Sequence, residues 1–242
     1  MGTVSTTANL YRFTALDAIA VAAYLGFTVF FTLAGETVER LMLQLIPDPA
    51  TASYAVNAIF YAGVGIFAIA SAWRVVGRDL KILGTRPWFT LGMVPLAIVV
   101  MLILTAILVT AFGGAQSSEN QVGIQGLLQQ VPAWLMVPLL VILGPFVEEF
   151  LFRHLLIGKL SRHVNIWICC VISVLVFASI HVIGREGLVL SALAPYLGMA
   201  VVLVAVYVWT GKSLMFSYFV HAAKNLMAVV LIYAIPPELL PN

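Results

Sequence analysis

The sequence predicts an all-α membrane protein, a polytopic bundle of about seven transmembrane helices (six to eight). Three observations carry that expectation. Of the 242 residues, 62% are hydrophobic and only 9% are charged, and the mean hydropathy of +1.08 lies far from that of soluble domains. Apolar stretches of about 20 residues recur along the whole length, each long enough to cross a hydrocarbon core of roughly 30 Å, whereas alternating barrel strands are absent. Finally, the five tryptophans, Trp73, Trp88, Trp134, Trp167 and Trp209, all fall close to the end of such a stretch, where indole rings settle at headgroup level.

Taken in order, the first span covers residues 16 to 35. The preceding segment carries one charge, Arg12, and no clear small-x-small exit follows, so the helix reads as retained rather than cleaved as a signal. The second span, 52 to 73, runs into a loop with Arg74, Arg78, Lys81 and Arg86 against Asp79. The third, 88 to 112, is followed by a loop from Gly113 to Gln130, rich in Gly, Ser and Gln, in which Glu119 is the only charge. The fourth, 131 to 152, ends towards a turn carrying Lys159 and Arg162. The fifth, 166 to 183, contains adjacent Cys169 and Cys170, which read as packing residues because a helix cannot easily hold a disulfide between neighbours. The self-cancelling Arg185 and Glu186 precede the sixth span, 188 to 209, and the seventh runs from 213 to 234. Thr210-Gly-Lys-Ser between these last two is a turn and not a phosphate-binding loop, since Val206 stands where that loop needs a glycine.

The basic loops mark the cytoplasmic side, which places the N-terminus inside and the C-terminus outside. Residues 1–130 carry no motif, 131–234 form a motif-bearing core within the same single membrane domain, and 235–242 are a short tail. That tail, ending Glu238-Leu-Leu-Pro-Asn, is no prenylation or retrieval signal. With no basic arm, nucleic acid is not an expected partner.

Glu148 and Glu149 then stand out as adjacent carboxylates in a chain that avoids charge. An ionisable group at a helix centre costs on the order of 3 kcal/mol to insert, so the pair needs partners and a reason. Arg153 lies four residues after Glu149 on the same helix face, in the order that favours an ion pair. Glu148 points about 100° away and must find a partner on another helix, which makes it the better general base. Two further pairs share a helix face: Phe177 with His181, and His221 with Asn225. Phe177 reads as a brace for His181. His154 and His163, in the basic segment that closes the fourth span, are expected to be solvated or interfacial. Glu148 and His181 lie about equally far, roughly 25 Å, from a helical turn near His163 to Asn165, so the hairpin brings them level. That count implies a turn protruding into the cytoplasm, with Arg153 to Arg162 at or beyond the membrane interface. Gly184, Gly187 and Pro195 offer places for the helices to bend. Lys224 either snorkels or faces the site, where it would oppose metal binding.

Glu148-Glu149-x-x-x-Arg153, Phe177-x-x-x-His181 and His221-x-x-x-Asn225, in that order, resemble the three motifs of the CPBP intramembrane endopeptidases, the family of CAAX-processing proteases and bacteriocin-processing enzymes. Gly144-Pro145-Phe146-Val147, Phe152-Arg153 with Leu155 and Leu156, and Thr210-Gly211-Lys212-Ser213-Leu214 look like the same family, and the likeness covers about residues 130 to 230. The resemblance implies an intramembrane endopeptidase acting on a membrane-associated or prenylated protein or peptide. Glu148 and His181 would activate water, His221 and Asn225 would hold the oxyanion, and Glu149, Arg153 and Phe177 would support the site. No cofactor is the preferred expectation. The alternative is Zn²⁺ on Glu148, His181 and His221, although no His-Glu-x-x-His helix is present. The expected partners are a peptide or protein substrate and the lipid bilayer, the expected location a prokaryotic plasma membrane. Two rival readings remain: a non-catalytic scaffold or bacteriocin-immunity protein, and a proton-coupled transporter.

Overall fold

The computed structural model describes residues 10–114, 118–183 and 190–234, and the regular elements among them are all helical. Gly184, Arg185, Glu186, Gly187 and the tail 235–242 lie outside the described residues.

Local chemistry starts each helix. Thr14 and Asp17 form a reciprocal capping box at the start of α1 (Ala15–Leu45). Asp48 accepts the Thr51 N–H, and Pro49 fills the first position of α2 (Pro49–Thr85). After α3 (Pro87–Ala111), Ser118 caps α4 (Glu119–Gln130). The next helix, α5 (Ala133–Arg162), is continuous but includes π-helical segments at Pro138–Leu143 and Phe150–Lys159. Asn165 caps α6 (Ile166–Ile180), and α7 (Leu190–Trp209) and α8 (Leu214–Ala234) complete the bundle. Between these two, Gly211 and Lys212 take φ of +72° and +65°, so the Thr210–Ser213 segment is the tight turn its sequence suggests.

All seven apolar stretches are helical. Five helices are long and apolar enough to cross a membrane, and α1, whose parts Ala15–Phe31 and Leu33–Leu45 meet at 80°, makes a sixth. The remaining apolar stretch, α6, has 15 residues and spans about 22 Å, short of a full hydrocarbon core. The expected loop from Gly113 to Gln130 is corrected in its second half, where α4 forms. Its Gly and Gln content suggests a loop, but the Ser118 cap and packing against α2 and α8 stabilise a helix of modest intrinsic propensity.

The motif-bearing helix is the centre of the bundle. Residues 144 to 155 are buried without interruption, while α3 is largely exposed and apolar, as a lipid-facing helix is. Close approach fixes α5 and α7. A Cβ on Gly65 of α2 would lie 2.7 Å from Leu143 Cδ1 of α5, and one on Gly198 of α7 would lie 3.0 Å from Thr105 Cα of α3. These are the small-residue contacts by which membrane helices gain dispersion energy.

One end of the bundle is tied by polar groups. Lys159 and Ser71 converge on Asp17, at 2.6 and 2.5 Å. Arg78 pairs with Asp79 at 2.6 Å, Tyr11 donates to the Lys212 carbonyl at 3.1 Å, and Lys212 Nζ donates to Ser161 at 2.8 Å. Burial lifts the Tyr11 phenol above its ordinary range and lowers the Lys212 ammonium below its own. The C-terminal part of α5 is therefore covered by protein. Arg153, His154 and Lys159 are buried, and only the last part, with Arg162 and His163, is exposed. This corrects the expectation of a solvated His154, whose side chain is fully buried. The residues that precede α1 lie over it, with Tyr11 5.7 Å from the His154 ring.

Candidate active site

Glu148 and Glu149 occupy a short α-helical stretch, Gly144–Glu149, between the two π segments of α5. In the first π segment the Gly144 N–H reaches back five residues to the Leu139 carbonyl. The same register would pair residue 145 with Leu140, but Pro145 has no N–H and leaves that carbonyl without a helical donor. Asn225 Nδ2 donates to it at 2.9 Å. One amide hydrogen of Asn225 thereby locks α8 to α5, and the second is left for the cavity that Asn225 lines. Asn225→Ala should lower unfolding stability by about 1 kcal/mol by orphaning the Leu140 carbonyl, a loss readable in denaturant titrations of the purified protein.

Glu148 meets groups from three other helices. Its Oε1 accepts the Tyr61 hydroxyl of α2 at 3.1 Å. Its Oε2 lies 3.6 Å from His181 Nε2 and 3.7 Å from His221 Nε2. The hairpin of α5 and α6 does bring Glu148 and His181 level. His181 stands at the C-terminal cap of α6, just past the helix. Its Nδ1 is 2.7 Å from the Phe177 carbonyl, which can only accept, so a proton sits on Nδ1 and Nε2 is the ring nitrogen turned toward Glu148.

Glu149 has a different task, as the helix geometry suggests. It is fully buried, with Oε2 3.4 Å from Arg153 Nε, itself fully buried, and Oε1 3.0 Å from His221 Nδ1. It therefore joins Arg153 to His221 and fixes the ring that faces Glu148. Phe177 does more than brace one histidine. Its ring lies 4.5 Å from His181, 6.0 Å from His221 and 4.4 Å beneath the Arg153 guanidinium.

These groups border a cavity of about 320 Å³. Glu148, His181, His221 and Asn225 all line it, so the structure brings the sequence-selected site residues together, with Glu149, Arg153 and Phe177 behind them. Lys224 also lines the cavity. As placed, no three His, Cys, Asp or Glu groups among the described residues close into a cluster that could hold a metal ion.

Four contributing residues escaped the sequence reading. Tyr61 shares one helix face with Ser53 and Asn57 at steps of four residues, and all three line the cavity, so a polar stripe in an apolar span was the available signal. Tyr196 of α7 stacks on His181 at 4.8 Å. Asn120 and Gln121 of α4 close the far side, hidden by the reading of that segment as a loop.

Comparison with known proteins bears on the same part of the chain. Residues 130–227 match the family described as "Type II CAAX prenyl endopeptidase Rce1-like". The "Membrane-embedded CAAX protease MroQ" of Staphylococcus aureus (strain USA300) is 29% identical over 150 residues, 60% of this chain and 57% of that protein. The "Putative membrane peptidase YdiL" of Bacillus subtilis (strain 168) is 29% identical over 120 residues, 50% of this chain and 46% of that protein. The chain thus covers about half the length of these curated relatives. No solved structure gives a significant match. It is with the Rce1-like type II CAAX prenyl endopeptidases that the motif-bearing segment, residues 130–227, is to be grouped.

Proposed function

We propose that the protein is an intramembrane endopeptidase that hydrolyses a peptide bond of a membrane-associated or prenylated protein or peptide, with Glu148 activating the water. The observation that carries this reading is the convergence of Glu148 Oε2 with two imidazole Nε2 atoms, at 3.6 and 3.7 Å, on one cavity within a membrane bundle. Those separations are too long for direct hydrogen bonds, and a water resting beside the three groups, on the cavity side, can touch Glu148 and an imidazole together.

Such a water donates one hydrogen to Glu148 Oε2 and the other to His181 Nε2, which turns its lone pairs toward a substrate carbonyl. Glu148 takes the proton as the oxygen attacks. Negative charge develops on the carbonyl oxygen, and His221 Nε2–H and the second Asn225 N–H are placed on the cavity wall to receive it. Donation from His221 requires protons on both ring nitrogens, a charge that Glu148 and Glu149 flank. As the tetrahedral intermediate collapses, the C–N bond breaks and Glu148 returns its proton to the leaving amine. Preorganised donors in a low-dielectric cavity supply the transition-state stabilisation that bulk water does not.

Zinc is the second reading, favoured by one observation. Both Nδ1 atoms are engaged, by the Phe177 carbonyl and by Glu149, so that both Nε2 atoms face Glu148, as in metal sites whose histidines are oriented by outer partners. Glu148, His181 and His221 would hold the ion, which would acidify its bound water. Lys224 lines the same cavity, and an ammonium there would oppose a divalent cation, which favours the metal-free reading. Chelator-treated, metal-depleted enzyme should retain its full turnover of a reporter peptide. Loss of turnover restored specifically by Zn²⁺ would replace this mechanism by the second one.

The gathering of Arg78, Lys159, Ser161 and Lys212 at one end of the bundle supports a cytoplasmic assignment for that end and for the N-terminus, in a prokaryotic plasma membrane. The scaffold and transporter readings receive no comparable support, because Glu148, His181, His221 and Asn225 meet in one cavity.

A further inference from the structure

The geometry points to Tyr61 as a positioning residue for Glu148, supplied by the N-terminal half of the chain that carries no motif. This assignment rests on the protease reading above. The Tyr61 hydroxyl is 3.1 Å from Glu148 Oε1, whereas both imidazole contacts on Oε2 exceed 3.5 Å. Among the described residues, Tyr61 therefore provides the direct hydrogen bond that sets the rotation of the carboxylate. A carboxylate only accepts, so the phenol donates, and the bond strengthens as charge concentrates on Glu148. With Oε1 held in this way, Oε2 is the oxygen presented to His181 and His221 and to a water on the cavity side of them.

The surrounding residues hold Tyr61 in place. A Cβ on Gly144, one turn before Glu148, would lie 3.8 Å from Tyr61 Cε1, so the ring rests on the surface of the catalytic helix. The near approach of Gly65 to Leu143, one turn further along α2, sets the distance between the two helices. Phe60 meets Tyr61 edge-on at 5.0 Å, and Tyr24 continues the aromatic layer 5.4 Å from Phe60. The hydroxyl is thus a single polar point on an otherwise apolar contact. A packing role needs the ring alone, and a positioning role needs the oxygen.

Tyr61→Phe in the full chain separates the two roles. The expected result is a roughly tenfold lower kcat with KM nearly unchanged, and an acid limb of the kcat/KM profile moved about one pH unit higher, since the ionised base has lost a charge-assisted donor. A second readout is independent of activity. The infrared difference between wild type and Glu148→Gln isolates the Glu148 carboxylate band, and that band should shift when Tyr61→Phe is introduced. An unchanged acid limb or an unshifted band overturns the assignment. A wild type that cleaves no peptide overturns the protease reading instead, and the infrared band then still decides the Tyr61 contact.

Discussion

Glu148→Gln is expected to lower kcat for peptide hydrolysis by about 10³- to 10⁴-fold while leaving the folded protein as stable as wild type. The amide keeps the size of the carboxylate and can still accept from Tyr61, whose hydroxyl lies 3.1 Å from Oε1. What it cannot do is take a proton from water. Because the lost interaction exists chiefly in the transition state, the fall should appear in kcat and kcat/KM together, with KM little changed. Kinetics on protein purified in detergent or nanodiscs, beside an unfolding curve, measure both halves of this expectation.

Arg153→Leu should act on stability, with a cost of about 3–5 kcal/mol. Arg153 and Glu149 are both fully buried and 3.4 Å apart, and the outer guanidinium nitrogens find no acceptor among the described residues. Removing the cation leaves the Glu149 carboxylate buried without the permanent charge of the guanidinium, with only the His221 ring beside it. The pair taken together is worth far less than the penalty for breaking it, because desolvation of both ions opposes their attraction. Adding Glu149→Leu to the Arg153→Leu variant should therefore recover most of the loss, a coupling that a double-mutant cycle in denaturant reads directly. Activity should not return with stability, because Glu149 also fixes His221, at 3.0 Å from Nδ1.

The helical bundle and the same-face pairs were legible in the sequence because both rest on periodicity, whereas the grouping of His221 and Asn225 with Glu148 and His181 came from the resemblance to the CPBP motifs. Apolar stretches of membrane length declare spans, and steps of four residues place Glu149 with Arg153, Phe177 with His181 and His221 with Asn225 on shared faces. What escaped depends on contacts between distant segments. His154 looked solvated because its neighbours in sequence are basic, yet Tyr11 and Asp17 of the chain start pack over that segment, 5.7 Å from the His154 ring in the case of Tyr11. Asn225 reads as a catalytic donor, but its bond to Leu140 follows from a π register interrupted by Pro145, which no side-chain pattern reveals. Helix α4 combines two glycines with four glutamines, and its cap and tertiary contacts override that composition. Tyr61 resembled any aromatic in an apolar helix until the fold set it against Glu148.

The most direct test of the account is cleavage of a membrane-inserted reporter peptide in H₂¹⁸O, with fragments weighed by mass spectrometry. The account predicts that wild type produces two fragments, the new carboxyl group carrying one oxygen from solvent, and that Glu148→Gln leaves the peptide intact. A wild type that leaves the peptide uncut, or a Glu148→Gln variant that cuts it at the wild-type rate, would contradict the assignment of Glu148 as the base of an intramembrane peptidase.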